Sequence, residues 1–229
     1  MKQVDSIERS EQREPSELAR RWPSREGLRQ SQRTKQHFDD IAASYADSSD
    51  GKFCAPAYGA LKREVEKFAS GKWLDVSCGT GTVLSMLSDS SLKKYGVDFS
   101  EKMIEEACCN VGKDVNLYVA SAEKMPFERD TFDVVTCSFA FHHYTQPEAV
   151  LQEFRRVMKP GATLIIADPY ISQPFRAMMN PLLRFCDNGD YHMYGKKELT
   201  RLMKRNGFQM QDFQRINKRS FSCRCVAAN

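Results

Sequence analysis

The chain reads as an α/β protein built on a doubly wound sheet of about seven strands, mostly parallel, with an antiparallel strand at the C-terminal end. Three observations predict this. Short apolar runs alternate with segments of helical periodicity along most of the 229 residues. The first run, 72–76, passes through Ser77-Cys78-Gly79-Thr80-Gly81 into a helix opening at about Thr82. The second, 94–98, ends in an acid, Asp98, 17 residues beyond Gly81. A strand, a glycine loop, a helix and a second strand ending in an acid form the opening unit of a doubly wound fold.

The remaining elements follow in order. Phe38, Ile41, Ala42 and Tyr45 share one helical face, and a further helix spans roughly 56–69. Ser100 is placed to cap a helix whose first turn carries Glu101. A third strand, 115–119, leads to Ser121-Ala122, and a fourth, 132–138, leads to Phe139-Ala140-Phe141-His142-His143. Thr145 and Glu148 fit a capping box for the helix carrying Val150, Leu151, Phe154, Val157 and Met158, which Lys159-Pro160-Gly161 ends. A strongly apolar strand follows at 162–168. Phe175, Met178, Met179, Leu182 and Cys186 form a helical stripe interrupted by Pro181, and 187–194 reads as a loop. Leu199, Leu202 and Met203 mark a helix stopped at Asn206-Gly207. Strands at 208–216 and 221–227 join through Asn217-Lys218-Arg219.

Composition narrows the classes. The net charge is +4, too mild to point to nucleic acid. No run approaches the 18 or so apolar residues of a membrane span, and the charged N-terminus lacks an apolar leader core; both predict a cytoplasmic protein. The eight cysteines include no Cys-x-x-Cys pair. They read as reduced and mostly buried, with Cys223 and Cys225 on one face of the last strand, and no metal site is expected. Residues 1–33 are rich in Glu, Arg, Gln and Ser without a sustained stripe, and read as a solvated, mobile extension, with a dimer contact or an active-site cover as the alternatives. The domain proper then begins at residue 34.

Glycines at a strand-to-helix turn let backbone N–H groups approach a ligand, and the helix start adds donors and partial positive charge. An acid ending the second strand is where such a sheet holds ribose hydroxyls. This ordered series resembles the class I S-adenosylmethionine-dependent methyltransferases, which have a Rossmann-like fold. It is most similar to the branch that includes the ubiquinone/menaquinone-biosynthesis C-methyltransferases, from about Arg33 to Ala227.

The resemblance implies a set of roles. Asp75, Ser77, Gly79 and Gly81 surround the methionine moiety of S-adenosylmethionine, and Asp98 holds its ribose. Phe99, Ser121 and Ala122 meet the adenine, Ser138 and Phe139 line the pocket, and Tyr45 leans over the cofactor; the product would be S-adenosylhomocysteine. Ser77 stands where the family often has glycine, and an ordinary φ is expected of a serine. His143 is the candidate base and His142 a structural residue, while Tyr170, Tyr191, His192 and Tyr194 are candidate acceptor contacts.

The Phe175–Cys186 stripe, inside an acceptor-side insertion at about 170–195, implies a wall for an apolar or aromatic small molecule or else a cover for the sheet. A lipid-like quinone precursor would fit, with Arg176 and Arg184 near a membrane surface. The chain is expected to be a monomer or homodimer without DNA. RNA or protein substrates are the alternative, since Arg9, Arg13, Arg20, Arg21, Arg25, Arg29 and Arg33 could form a basic arm, but interleaved glutamates weaken it. A non-catalytic binding subunit is the third reading. A nicotinamide-dependent dehydrogenase is the fourth, and Val83 and Leu84 leave the third glycine of its fingerprint absent.

Overall fold

The computed structural model describes residues 24–228 apart from 89, 184 and 187. Its sheet has seven strands in the order β3-β2-β1-β4-β5-β7-β6. These are β1 Gly71–Val76, β2 Leu92–Asp98, β3 Val115–Val119, β4 Phe132–Ser138, β5 Met158–Pro169, β6 Phe208–Arg215 and β7 Ser220–Ala227. β1 pairs in parallel with both β2 and β4, whereas β7 is antiparallel to β5 and to β6. The expected sheet is therefore observed, with its direction reversed at the C-terminal hairpin.

The strand order reverses at β1. The loops after β1 and β4 open on opposite sides of that point, which leaves a crevice at the carboxyl ends of the strands. Helices cover both faces: α1 Arg25–Ile41, α2 Ser49–Val65, α3 Thr82–Ser85, α4 Glu101–Asn110, α5 Pro147–Val157, α6 Phe175–Leu183 and α7 Lys196–Arg205. One buried cluster joins Leu74, Val135, Phe154 and Leu199 on one face. The other joins Trp73, Leu61, Val134 and Ile165 on the opposite face. Alternate residues of β1 thus serve opposite layers, as the strand period requires.

Several boundaries differ from expectation. α1 begins at Arg25, within the stretch expected as a mobile extension, because Ser24 Oγ accepts the Gly27 N–H at 3.0 Å. Its packed face is polar: Gln30 and Thr34 are buried and donate to the carbonyls of Asp190 and Gly189. The rest of the expected extension, residues 1–23 with most of the proposed arginine arm, lies outside the described residues. α2 starts at Ser49 under a Ser48 cap and carries Pro56 inside it, rather than starting at that proline.

α5 has Gln146 at its N-cap and Pro147 in its first turn, with no side-chain cap bond, so Thr145 does not form a capping box. Its hydroxyl lies instead 3.4 Å from Ser31 of α1. Met158 belongs to β5 rather than to α5. The Ser100 cap is present, with Met103 N–H donating to its Oγ at 3.1 Å.

The apolar stripe of α6 neither covers the sheet nor forms a wall. Phe175, Met178, Leu182 and Phe185 are 59–69% exposed. Arg176 donates to the Ile171 carbonyl at 3.1 Å. Arg184 lies outside the described residues. Five cysteines are buried, whereas Cys108 and Cys109 on α4 are exposed.

Candidate functional site

Two adjoining chambers occupy the crevice. The first encloses about 900 Å³, its open mouth included, and lies against the loops after β1, β2 and β3. The second spans about 1290 Å³, its wide open mouth included, and lies between α1, α2, the end of β5 and the 188–193 loop. Phe38, Tyr45, Phe139 and His143 line both and stand where the two meet.

The loop after β1 makes the floor of the first chamber. Ser77, Gly79 and Gly81 all take left-handed φ, at 54°, 53° and 75°. The serine therefore does not keep the ordinary φ expected of it. The alternating turn that brings Cys78 N–H to the Val97 carbonyl forces the left-handed well, and Ser77 Oγ is held 2.8 Å from the Tyr144 hydroxyl. Ser77→Ala should lower stability by about 1 kcal/mol, since it keeps the strained φ and leaves the Tyr144 hydroxyl only the weaker contact with Cys137 Sγ at 3.6 Å. Ser77→Gly should come closer to neutral, because relief of strain offsets the lost bond; thermal melts of the pair check both.

Asp98 is the polar anchor of this chamber. Its Oδ2 accepts the Gly79 N–H and its Oδ1 accepts the Ser100 N–H, both at 2.9 Å. Burial pushes its pKa up to about 6, against the pull of those backbone donors. Phe99, Met103, Ser121 and Ala122 surround it, with Ser121 Oγ turned to the Glu123 N–H. Ser138 and Phe139, the latter at φ 53°, close the far side.

Nine of the eleven expected cofactor contacts, and His143 with them, line this chamber; Asp75 and Gly81 do not. Gly81 is turned toward α4, where a Cβ would stand 2.6 Å from Val111 Cγ1. Asp75 is fully buried behind the wall. Its Oδ1 accepts from Thr136 Oγ1 at 2.6 Å, which in turn accepts from Trp73 Nε1 at 2.9 Å. Its Oδ2 has no partner among the described residues, and burial raises the carboxyl to about 7.

The second chamber is aromatic on the side of α1 and α2. Phe53 meets Phe139 edge-on at 5.9 Å, and Phe38 meets His143 at 5.3 Å. Burial drives the Tyr45 phenol far up and the Cys54 thiol to about 12, so both stay protonated near neutral pH. On the other side, His142 Nδ1 lies 2.8 Å from Asp168 Oδ1 and its Nε2 lies 3.2 Å from Asp190 Oδ1. Burial lowers the His142 pKa, but the carboxylates of Asp168 and Asp190 outweigh it and hold the value at about 10.

His143 is pushed the opposite way, down, by burial and by the neighbouring His142 charge. Of the expected acceptor contacts only Tyr170 lines the chamber. Tyr194 is in the core, and His192 pairs with Glu198 at 2.7 Å. Asp190 and Cys54 carried no sequence signal, being a lone loop acid and one helical thiol among many. Ser31 and Thr34 of α1 lay in a stretch without periodicity.

The methyltransferase-domain family profile matches residues 74–166. The demethylmenaquinone methyltransferase of Clavibacter sepedonicus is 36% identical over 48% of this chain and 45% of its own. That of Staphylococcus aureus (strain MRSA252) is 31% identical over 66% of this chain and 71% of its own. The chain spans about half the length of the first of these relatives and more than two thirds of the second. Among solved structures, an S-adenosylmethionine-dependent methyltransferase from Aquifex aeolicus shares the fold, with a TM-score of 0.62 and 24% identity over 78% of this chain and 96% of its own. Sequence, sheet order and switch-point crevice agree, and the chain belongs to the class I S-adenosylmethionine-dependent methyltransferase family.

Proposed function

We propose that this chain transfers a methyl group from S-adenosylmethionine, bound in the first chamber, to a small aromatic or apolar acceptor held in the second. The observation that carries the reading is the pair of chambers meeting at Phe139 and His143, with the carboxylate of Asp98 in one and an aromatic wall in the other. The residues fit the donor. Asp98 offers carboxylate oxygens to ribose hydroxyls, and the Gly79 turn keeps Cβ atoms off the floor. Ser121 and Ala122 present a polar edge and a small face for adenine, beside Phe99. Asp75 lies behind the lining residues Val76 and Ser77 and supports the floor through Thr136 rather than meeting the donor itself.

When bound, S-adenosylmethionine supplies an electrophilic methyl group whose transfer leaves a neutral thioether, which suits in-line displacement. The chain has then to align and to exclude water. Phe38, Tyr45 and Phe139 stand where the chambers meet and keep that junction apolar. His143 is the polar side chain of the junction and is placed to meet the acceptor. The relatives named above are demethylmenaquinone methyltransferases, and the aromatic wall of Phe38, Phe53 and Phe139 supports a quinone-type acceptor here.

The test is incubation with methyl-labelled S-adenosylmethionine and a panel of hydroquinones, phenols and catechols. Label in the extracted small molecule is the expected result. Label confined to added RNA or protein would contradict it, as would binding of the donor without transfer to any acceptor.

A further inference from the structure

His142, His143 and Asp190 each offer one ligand atom, and the three atoms lie within 4.8 Å of one another. We propose that they form a binding site for a divalent transition cation of the zinc class, opening on the second chamber. A tetrahedral zinc ion with bonds of about 2.0–2.2 Å sets its ligand atoms ~3.3–3.5 Å apart. His142 Nε2 and His143 Nδ1 stand 3.2 and 3.6 Å from Asp190 Oδ1, which brackets that spacing.

The supports around the cluster are those a metal site needs. His142 Nδ1 meets Asp168 Oδ1 at 2.8 Å, so the carboxylate orients the ring and leaves Nε2 as the coordinating nitrogen. Asp168 is itself 1% exposed at the end of β5. Asn188 Nδ2 donates to Asp190 Oδ2 at 3.0 Å, so Oδ1 alone faces the histidines. The loop is pinned in place: the N–H groups of Tyr191 and His192 both donate to the His142 carbonyl, at 3.0 and 2.9 Å, and Gln30 holds the Asp190 carbonyl.

The independent sign of a missing ligand is His143. Its side chain is nine-tenths buried, and its Nδ1 has no hydrogen-bond partner among the described residues although it points at Asp190. A buried ring nitrogen without a partner carries a desolvation cost that coordination removes.

Two histidines and a carboxylate leave coordination positions open, as in catalytic rather than structural sites. Here they open on the chamber beside the junction, where an oxygen of the acceptor could take one. That use rests on the methyl-transfer reading; the cation site itself does not.

The experiment is titration of the full chain, stripped with chelator, with Co²⁺ alone, followed by its visible absorption and by the melting temperature, with Zn²⁺ as competitor. The expected result is stoichiometric binding with nitrogen–oxygen ligand-field bands, displaced by Zn²⁺, with a raised melting temperature. Asp190→Asn and His143→Gln should abolish the bands. Asp168→Asn, a positioning change, should weaken binding about 10–100-fold.

Each variant's melting without metal reports whether it folds. No stoichiometric Co²⁺ binding by the wild type would overturn the proposal. So would bands of thiolate character unchanged by His143→Gln, which would place the ion on cysteines instead. Since S-adenosylhomocysteine is not involved, either failure leaves the donor chamber's assignment standing.

Discussion

Asp98→Ala should weaken binding of S-adenosylhomocysteine by roughly 10²–10⁴-fold. A hydrogen bond to a charged group contributes about 1.5–3 kcal/mol, and two ribose hydroxyls would be lost together. The substitution also frees the N–H groups of Gly79 and Ser100, both of which Asp98 accepts at 2.9 Å, so the floor of the chamber loosens as well. Asp98→Asn separates the two effects. It retains one acceptor oxygen and the shape, and should cost closer to 10–100-fold.

A pH dependence follows from the same group. Its carboxyl sits near 6 in the ligand-free protein because burial raises it above the ordinary value. Ribose hydroxyls donate to the ionised form, so affinity should be flat above that pH. Below it, affinity should fall by up to tenfold per unit, because protonation competes with binding. Calorimetry at about pH 5 and 8 checks the sign, and an affinity that rose on acidification would contradict the placement of the ribose.

The second large effect concerns stability. Burial raises the folded-state pKa of Asp75 to about 7 from an ordinary 3.8. A carboxyl raised on folding favours the folded state fully below its unfolded value, and that advantage disappears as pH rises through the folded one. Asp75→Asn mimics the protonated form and keeps the acceptor for Thr136 Oγ1. Relative to wild type, the ligand-free variant should therefore gain stability between about pH 5 and 8, by an amount of order a few kcal/mol. Urea unfolding of both proteins at the two pH values measures it. An equal difference at both would show that Asp75 ionises freely in the fold, through a donor to Oδ2.

Much of this was legible in the chain itself, and the remainder failed for identifiable reasons. The seven strands announced themselves as short apolar runs, and Asp98 and Gly79 by their place at strand ends, because backbone geometry dictates those positions. Ser77 misled because its side chain suggests an ordinary φ, whereas the turn and the Tyr144 hydroxyl hold it left-handed. The first part of α1 was hidden because its packed face is made by Gly27, Gln30 and Thr34 rather than by apolar residues, and the helical face read through Phe38, Ile41, Ala42 and Tyr45 breaks at Ile41, after which 42–47 is a 3-10 helix.

The second chamber was the least legible. Its acid, Asp190, lies in a loop without periodicity and reaches His142 only through tertiary structure. The stripe of Phe175, Met178 and Leu182 has the pattern of a packed helix, yet these side chains face solvent. Periodicity reports that a face is apolar, not what lies against it.

The most direct test of the two-chamber account is a crystal structure with S-adenosylhomocysteine. The account predicts the ribose hydroxyls on Asp98, the adenine between Phe99 and Ser121-Ala122, and the thioether sulfur at the junction marked by Phe139 and His143. A nucleoside lying among Phe53, Tyr170 and Arg219 instead, or a sulfur turned away from the junction, would contradict it.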